Sequence, residues 1–231
     1  MILAPHPDDE ALAAGGLIQH AVAKGAAVRV VFATDGDNNP WPQRWLERRW
    51  VIGPEGRGRW GVRRQEEARH SLTTLGLKED GADFLGFPDA GLARLWAQRD
   101  GPVLAAFART LASWAPSWLI VPSARDSHPD HPAVYHFAQS ALVQTGQAPA
   151  VYSYLIHRGW FRPPAEGCRL ALTATQQETK LRAILCHETQ MALSRSRFTA
   201  YAQAEEIFTP EPLPAPEKAA GTVFQPAFSS T

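Results

Sequence analysis

The chain has 231 residues with 23 Lys plus Arg and 23 Asp plus Glu, a formal net charge of zero. That length is enough for one large α/β domain with an ample core, and the balanced charge provides no long-range field for nucleic acid or an anionic membrane surface, so no nucleic-acid partner is expected. No apolar run approaches the roughly 20 residues of a transmembrane helix, and a polar motif beginning at His6 leaves no room for a signal peptide, so a cytoplasmic protein is expected.

In chain order, Ile2-Leu3-Ala4 reads as a short strand, and His6-Pro7-Asp8-Asp9-Glu10 as the turn that leads into a helix near 10–24. No G-x-G-x-x-G follows that strand, so Gly15-Gly16 reads as close packing of helix on sheet rather than a dinucleotide fingerprint. Ala27 to Ala33 is a second, buried strand that ends at Thr34-Asp35-Gly36. Residues 36–60 are read as a long irregular insertion carrying Trp41, Trp45, Trp50 and Trp60, half of the chain's eight tryptophans. Loops of that length usually serve function or are disordered. Two readings stay open: rings that stack on a sugar or close over a site, or a satellite cluster that fastens the loop down, with 45–50 as an amphipathic helix. The Arg-Gly alternation at 56–59 is too short to indicate RNA.

Further helices are expected near 61–75, 101–114, 131–145 and 176–188, and strands near 82–86, 117–122, 150–156 and 169–173. This alternation predicts an α/β fold: a single Rossmann-like domain over 1–208, with a mainly parallel sheet and helices on both faces. The Pro-rich segment 209–231 reads as an extended or disordered surface tail. Residues 189–208 give no clear element; Arg195 and Arg197 there either reach an anionic substrate group or form a solvated basic segment. Cys168 and Cys186 lack the spacing of a disulfide framework or a zinc ribbon and read as buried free thiols.

The chemistry is carried by His6-Pro7-Asp8-Asp9-Glu10 and, far downstream, His128-Pro129-Asp130-His131. Two neutral imidazoles and one carboxylate, His6, Asp9 and His131, suit Zn2+ with one position open to water, the pattern of a catalytic site. Fe2+ or Co2+ would be accepted by the same donors. Asp8 would then be free to act as general base on that water. The plainer reading is that Asp8 or Asp9 caps a helix with Glu10 in its first turn, and that His128-Pro129-Asp130 is a capping turn. Capping needs one oxygen, however, and does not explain three histidines and four acids.

Pro5-His6-Pro7-Asp8-Asp9-Glu10 with His128-Pro129-Asp130-His131 resembles the PIG-L-like, or LmbE-like, family of zinc de-N-acetylases, which includes enzymes acting on N-acetylglucosaminyl-phosphatidylinositol and on N-acetylglucosaminyl-inositol thiol precursors. Weaker similarities are Arg64-Gln65-Glu66-Glu67 with Leu75-Gly76, Phe84-Leu85-Gly86-Phe87-Pro88-Asp89, and Lys180-Leu181-Arg182-Ala183 with His187-Glu188-Thr189-Gln190, so the resemblance covers about residues 1–190. It implies that His6, Asp9 and His131 bind zinc, and that Asp8 is the base. It also implies that His128 stabilises the oxyanion or protonates the leaving amine, with Asp130 holding its ring.

Arg64 and Asp89 are implied as substrate-binding or site-shaping. A surface ion pair of Arg64 with Glu67 and an Asx turn at Asp89 explain those two residues as readily. The implied reaction is hydrolysis of an N-acetyl group on a small N-acetylated amino sugar or glycoconjugate. The alternatives are another mononuclear metal hydrolase, such as a phosphoesterase, or a non-catalytic sugar-binding module. Oligomeric state is not legible.

Overall fold

In the computed structural model, residues 1–157 and 167–213 are described. Strand β1 (Ile2–Ala4) shows how the sequence divides the core. Successive side chains of a strand point to opposite faces. Leu3 therefore joins one buried cluster with Val31, Leu119, Val121, Phe107, Leu111 and Phe137, while Ile2 and Ala4 join the other with Val30, Phe32, Ile120, Leu12, Ile18 and Leu72. The central strands are apolar on both faces because helices cover both.

The elements run β1, α1 (Asp9–Ala23), β2 (Val30–Thr34), α2 (Pro40–Glu47), α3 (Pro54–Thr74), β3 (Ala82–Phe87), α4 (Leu92–Ala97), α5 (Gly101–Trp114), β4 (Trp118–Pro122), α6 (Asp130–Thr145), β5 (Ala150–Tyr154), β6 (Cys168–Ala171), α7 (Ala174–Leu185), α8 (Glu188–Thr199) and β7 (Glu205–Glu211). The described residues build one seven-stranded sheet in the order β3-β2-β1-β4-β5-β7-β6. β1 to β5 are mutually parallel, and β7 runs antiparallel to both β5 and β6. The expected α/β architecture, a mainly parallel sheet with helices on both faces, is what the chain adopts.

Gly15 and Gly16 do pack the first helix closely. A Cβ on Gly16 would lie 2.3 Å from Leu172 Cδ2, and one on Gly15 3.1 Å from Lys180 Cγ. Beneath that contact, buried Glu206 accepts from Gly16 N at 2.6 Å, Leu17 N at 2.8 Å and Lys180 Nζ at 2.6 Å.

Four expectations are corrected. The insertion 36–60 is not irregular: it holds α2 and the first turns of α3, started by Pro40 and Pro54, because proline's fixed φ suits the first helical position. Residues 189–208 form most of α8 and the start of β7. The boundary at 209 falls inside a strand, since Thr209, Pro210 and Glu211 pair with Ser153, Tyr152 and Val151. The free cysteines are not buried: Cys168 is exposed on β6 and Cys186 is half-buried at the end of α7. Residues 214–231 lie outside the described residues.

Candidate metal centre and its cleft

In the sheet order, β1 connects outward to β2 and β4 outward in the opposite direction to β5, which makes the gap beyond the carboxyl ends of β1 and β4 the place where ligands bind in open α/β sheets. His6, Asp8 and Asp9 follow β1, Asp126, His128, Asp130 and His131 follow β4, Asp89 follows β3, and His157 follows β5. All converge there.

The turn after β1 is strained and braced. Asp8 has φ 141°, ψ −30°, a conformation that a non-glycine residue adopts at a cost and that tends to be stored at functional sites. Its N–H donates to Glu10 Oε2 at 2.9 Å, and Glu10 Oε1 is held by Ser71 Oγ at 3.0 Å and His187 Nε2 at 2.9 Å. Asp8 makes no side-chain cap bond to α1, so the capping reading does not account for it.

Asp9 joins the two predicted imidazoles. Its Oδ2 lies 3.3 Å from His6 Nδ1 and 3.4 Å from His131 Nε2, and also accepts from His6 N at 2.9 Å. The donor atoms of His6, His128 and His131 lie within 4.8 Å of one another. His131 is fully buried, yet neither of its ring nitrogens makes a hydrogen bond among the described residues. A buried polar atom without a partner is costly, and a cation at the meeting point of these donors would satisfy it. The donor set therefore fits a divalent ion.

Arg64 is a site residue rather than a surface ion-pair partner. It is 2% exposed and donates through Nη2 to Asp8 Oδ2 at 3.0 Å and Pro7 O at 2.6 Å, and through Nη1 to Gly36 O at 2.9 Å. A Cβ at Gly36 would lie 2.0 Å from Arg64 Nη1. Glu67 instead accepts from Thr189 N at 3.0 Å and Oγ1 at 2.6 Å. Asp89 is no isolated Asx turn either: its Oδ1 is 3.2 Å from His6 Nε2 and its Oδ2 accepts from Asn38 N at 3.0 Å.

The expected support of the His128 ring by the Asp130 carboxylate is not found. That carboxylate accepts from Ala90 N at 2.8 Å and from Leu92 N at 3.0 Å and Ala93 N at 3.4 Å at the start of α4, with His6 Nε2 at 3.4 Å. What reaches His128 is the Asp130 backbone N–H, which donates to Nδ1 at 3.4 Å. An Nδ1 that accepts leaves the proton of a neutral ring on Nε2.

The charges follow from burial and neighbours. Burial pushes the Asp8 carboxyl up to about 6 against the pull of Arg64. Burial raises Asp9 too, but His131 and His6 outweigh it and hold Asp9 well below the usual carboxylate range. Burial, with His6 and His131 nearby, pushes His128 down to about 4.

Sequence reasoning missed Asp126 and His157. Asp126 Oδ2 is 3.1 Å from His131 Nδ1, and Asp126 Oδ1 is 3.1 Å from His157 Nδ1. Their signal was positional: each lies just past the end of a parallel strand, as His6 does.

The cleft over this centre has a volume of about 380 Å³ and is walled by Asn38, Asn39, Trp41, Gln190, Arg197 and Phe198. Trp60 is 1% exposed and belongs to the core, whereas Trp41, Trp45 and Trp50 are 64%, 68% and 81% exposed. With Arg44, Leu46 and Arg48 these three line a hollow of about 660 Å³ that shares Trp41 with the cleft. Of the segment 157–167, which the resemblance implies as a loop bearing on specificity, residues 158–166 lie outside the described residues.

A family model described as PIG-L, GlcNAc-PI de-N-acetylase, matches residues 1–142, from the first strand through both polar clusters. The chain belongs to the PIG-L family. A curated relative, the 1D-myo-inositol 2-acetamido-2-deoxy-alpha-D-glucopyranoside deacetylase of Mycobacterium sp. (strain KMS), is 29% identical over 168 residues, which are 66% of this chain and 53% of the relative. The chain thus spans about half the length of that relative. Among solved structures, GalB, the 4-carboxy-2-hydroxymuconate hydratase from Pseudomonas putida KT2440, has a TM-score of 0.65 at 23% identity, covering 87% of this chain and 81% of its own. The N,N'-diacetylchitobiose deacetylase from Pyrococcus horikoshii has a TM-score of 0.68 at 19% identity, covering 91% and 82%. At those identities the likeness is one of fold, and a fold found in both a hydratase and a deacetylase does not select the reaction.

Proposed function

We propose that this PIG-L family protein is a metal-dependent hydrolase that removes an N-acetyl or similar N-acyl group from an amino-sugar-type substrate, giving acetate and a free amine. The observation that carries the reading is a buried, strained Asp8 beside a convergent His6, Asp9 and His131 set. Family membership and the amino-sugar deacetylase among its relatives support it. His6, Asp9 and His131 would hold the ion, zinc by preference, and the ion would supply Lewis acidity that polarises the scissile carbonyl and acidifies a water.

The chain's own groups do the rest. Asp8, with a carboxyl near 6, is ionised at neutral pH yet basic enough to take the proton of the attacking water. Arg64 pins one Asp8 oxygen and so fixes which lone pair faces the cleft. His128, neutral with Nε2–H free, donates a hydrogen bond to the oxygen on which charge develops. Asp89, tied to His6 and to Asn38 N, shapes the floor on the substrate side. The test is acetate release from a panel of N-acetylglucosamine derivatives. Release that depends on Asp8 supports the reading, whereas addition of water to an alkene substrate without acetate would replace it with hydratase chemistry.

A further inference from the structure

One fully buried carboxylate that the motifs do not include, that of Asp126, ties two walls of the centre together. Asp126 Oδ1 accepts from His128 N at 2.9 Å, and Oδ2 from Ile156 N at 3.1 Å and His157 N at 3.0 Å. It thereby stitches the segment after β4 to the segment after β5. The same two oxygens lie 3.1 Å from His131 Nδ1 and 3.1 Å from His157 Nδ1. An ionised carboxylate only accepts, so His157 Nδ1, hydrogen-bonded to Oδ1, carries a proton, and the 3.1 Å approach of Oδ2 to His131 Nδ1, an ion-pair contact without hydrogen-bond geometry, favours a proton there too. In His131 that leaves the Nε2 lone pair turned to Asp9 and the candidate ion. In His157, whose ring packs edge-on against His131 with centroids 4.9 Å apart and which lines the cleft, it leaves Nε2 on the far side of the ring.

We propose that Asp126 is the positioning residue of the centre, setting the tautomers of His131 and His157 together, and that His157 is a further substrate-binding residue whose Nε2 hydrogen-bonds a hydroxyl of the sugar. The proposal rests on the de-N-acetylase reading for the identity of the substrate, but its metal arm does not. His157 could instead be a ligand, since Asp126, His131 and His157 also place one donor atom each within 4.8 Å. A proton on the His157 Nδ1 that bonds Asp126 opposes this, because that nitrogen then has no lone pair for an ion.

The test compares wild type with Asp126→Asn, His157→Ala and His131→Ala, measuring zinc affinity by competition with a chelator, the melting temperature of the metal-free protein, and kcat and KM on N-acetylglucosamine derivatives. Losing an outer partner of a metal-bound histidine weakens metal binding by roughly 10–100-fold, and Asp126→Asn is expected to do so. His157→Ala is expected to hold zinc as the wild type does and to raise KM about tenfold or more with kcat little changed, as for an interaction made equally in ground and transition states. Zinc loss in His157→Ala comparable to that in His131→Ala would make His157 a ligand and overturn its assignment. Unchanged zinc affinity in a folded Asp126→Asn would overturn the positioning role. If no derivative is turned over by the wild type, the de-N-acetylase reading fails, while the zinc affinities still decide the tautomer argument.

Discussion

At the scale of single residues, Asp8 bears the largest conflict between stability and function. Its carboxyl is pushed up to about 6 from an ordinary value of 3.8, so between those values the folded protein binds more protons than the unfolded chain. Stability contributed by this group therefore falls as pH rises through that window and is lowest where the carboxylate is ionised. In metal-free protein at neutral pH, Asp8→Asn is expected to melt at or above the wild-type temperature; a clear drop would mean that the Asp8–Arg64 pair stabilises the fold more than burial of the charge costs. The same variant is expected to lose roughly 10²–10⁴-fold in kcat, the range supplied by a positioned base, while retaining metal. Turnover near wild type would remove Asp8 from the role. A polar run at a strand end has few structural uses, so the sequence pointed to His6, Asp8, Asp9 and His131, which the fold brings together. The sequence did not reveal that Asp130 serves α4 through its carboxylate and His128 only through its backbone, since that depends on where residues 90–93 pass in space.

At the scale of elements, β7 was hidden by its composition. Proline is confined in sheets to edges and bulges, so Thr209-Pro210-Glu211 read as a tail. The structure tolerates Pro210 because β6 pairs with β7 only between 205 and 208, leaving Pro210 with β5 on one side alone. Helix α2 was obscured by its flanking prolines and glycines, which mark starts as often as breaks. By contrast, the packing role of Gly15-Gly16 was legible, and it gives a prediction. Gly16→Ala would put a methyl 2.3 Å from Leu172, and overpacking of this kind typically costs about 1–3 kcal/mol. Its denaturant midpoint is expected to fall with an unchanged slope. A gain in stability, as Gly→Ala gives in an open helix, would show that α1 has room to shift from Leu172, between β6 and α7.

At the scale of the whole molecule, the parallel order of β1 to β5 brings five strand ends to one crevice, so residues as distant in sequence as His6, Asp89, Asp126 and His157 become neighbours. The alternation of elements predicted that sheet, and hence the crevice, but not the three exposed tryptophans beside it, whose burial depends on what the insertion packs against. No helix among the described residues is long and apolar enough to cross a membrane.

The central claim is that one ion at His6, Asp9 and His131 and one base at Asp8 together hydrolyse an N-acyl amino sugar. The most direct test is to strip the purified protein with a chelator, restore zinc, and measure bound metal by elemental analysis alongside acetate released from N-acetylglucosamine derivatives. The account predicts that acetate release disappears with the metal, returns with stoichiometric zinc, and fails to return in His131→Ala, which no longer holds it. Acetate release that persists in the stripped protein, or stoichiometric zinc in His131→Ala, would contradict it.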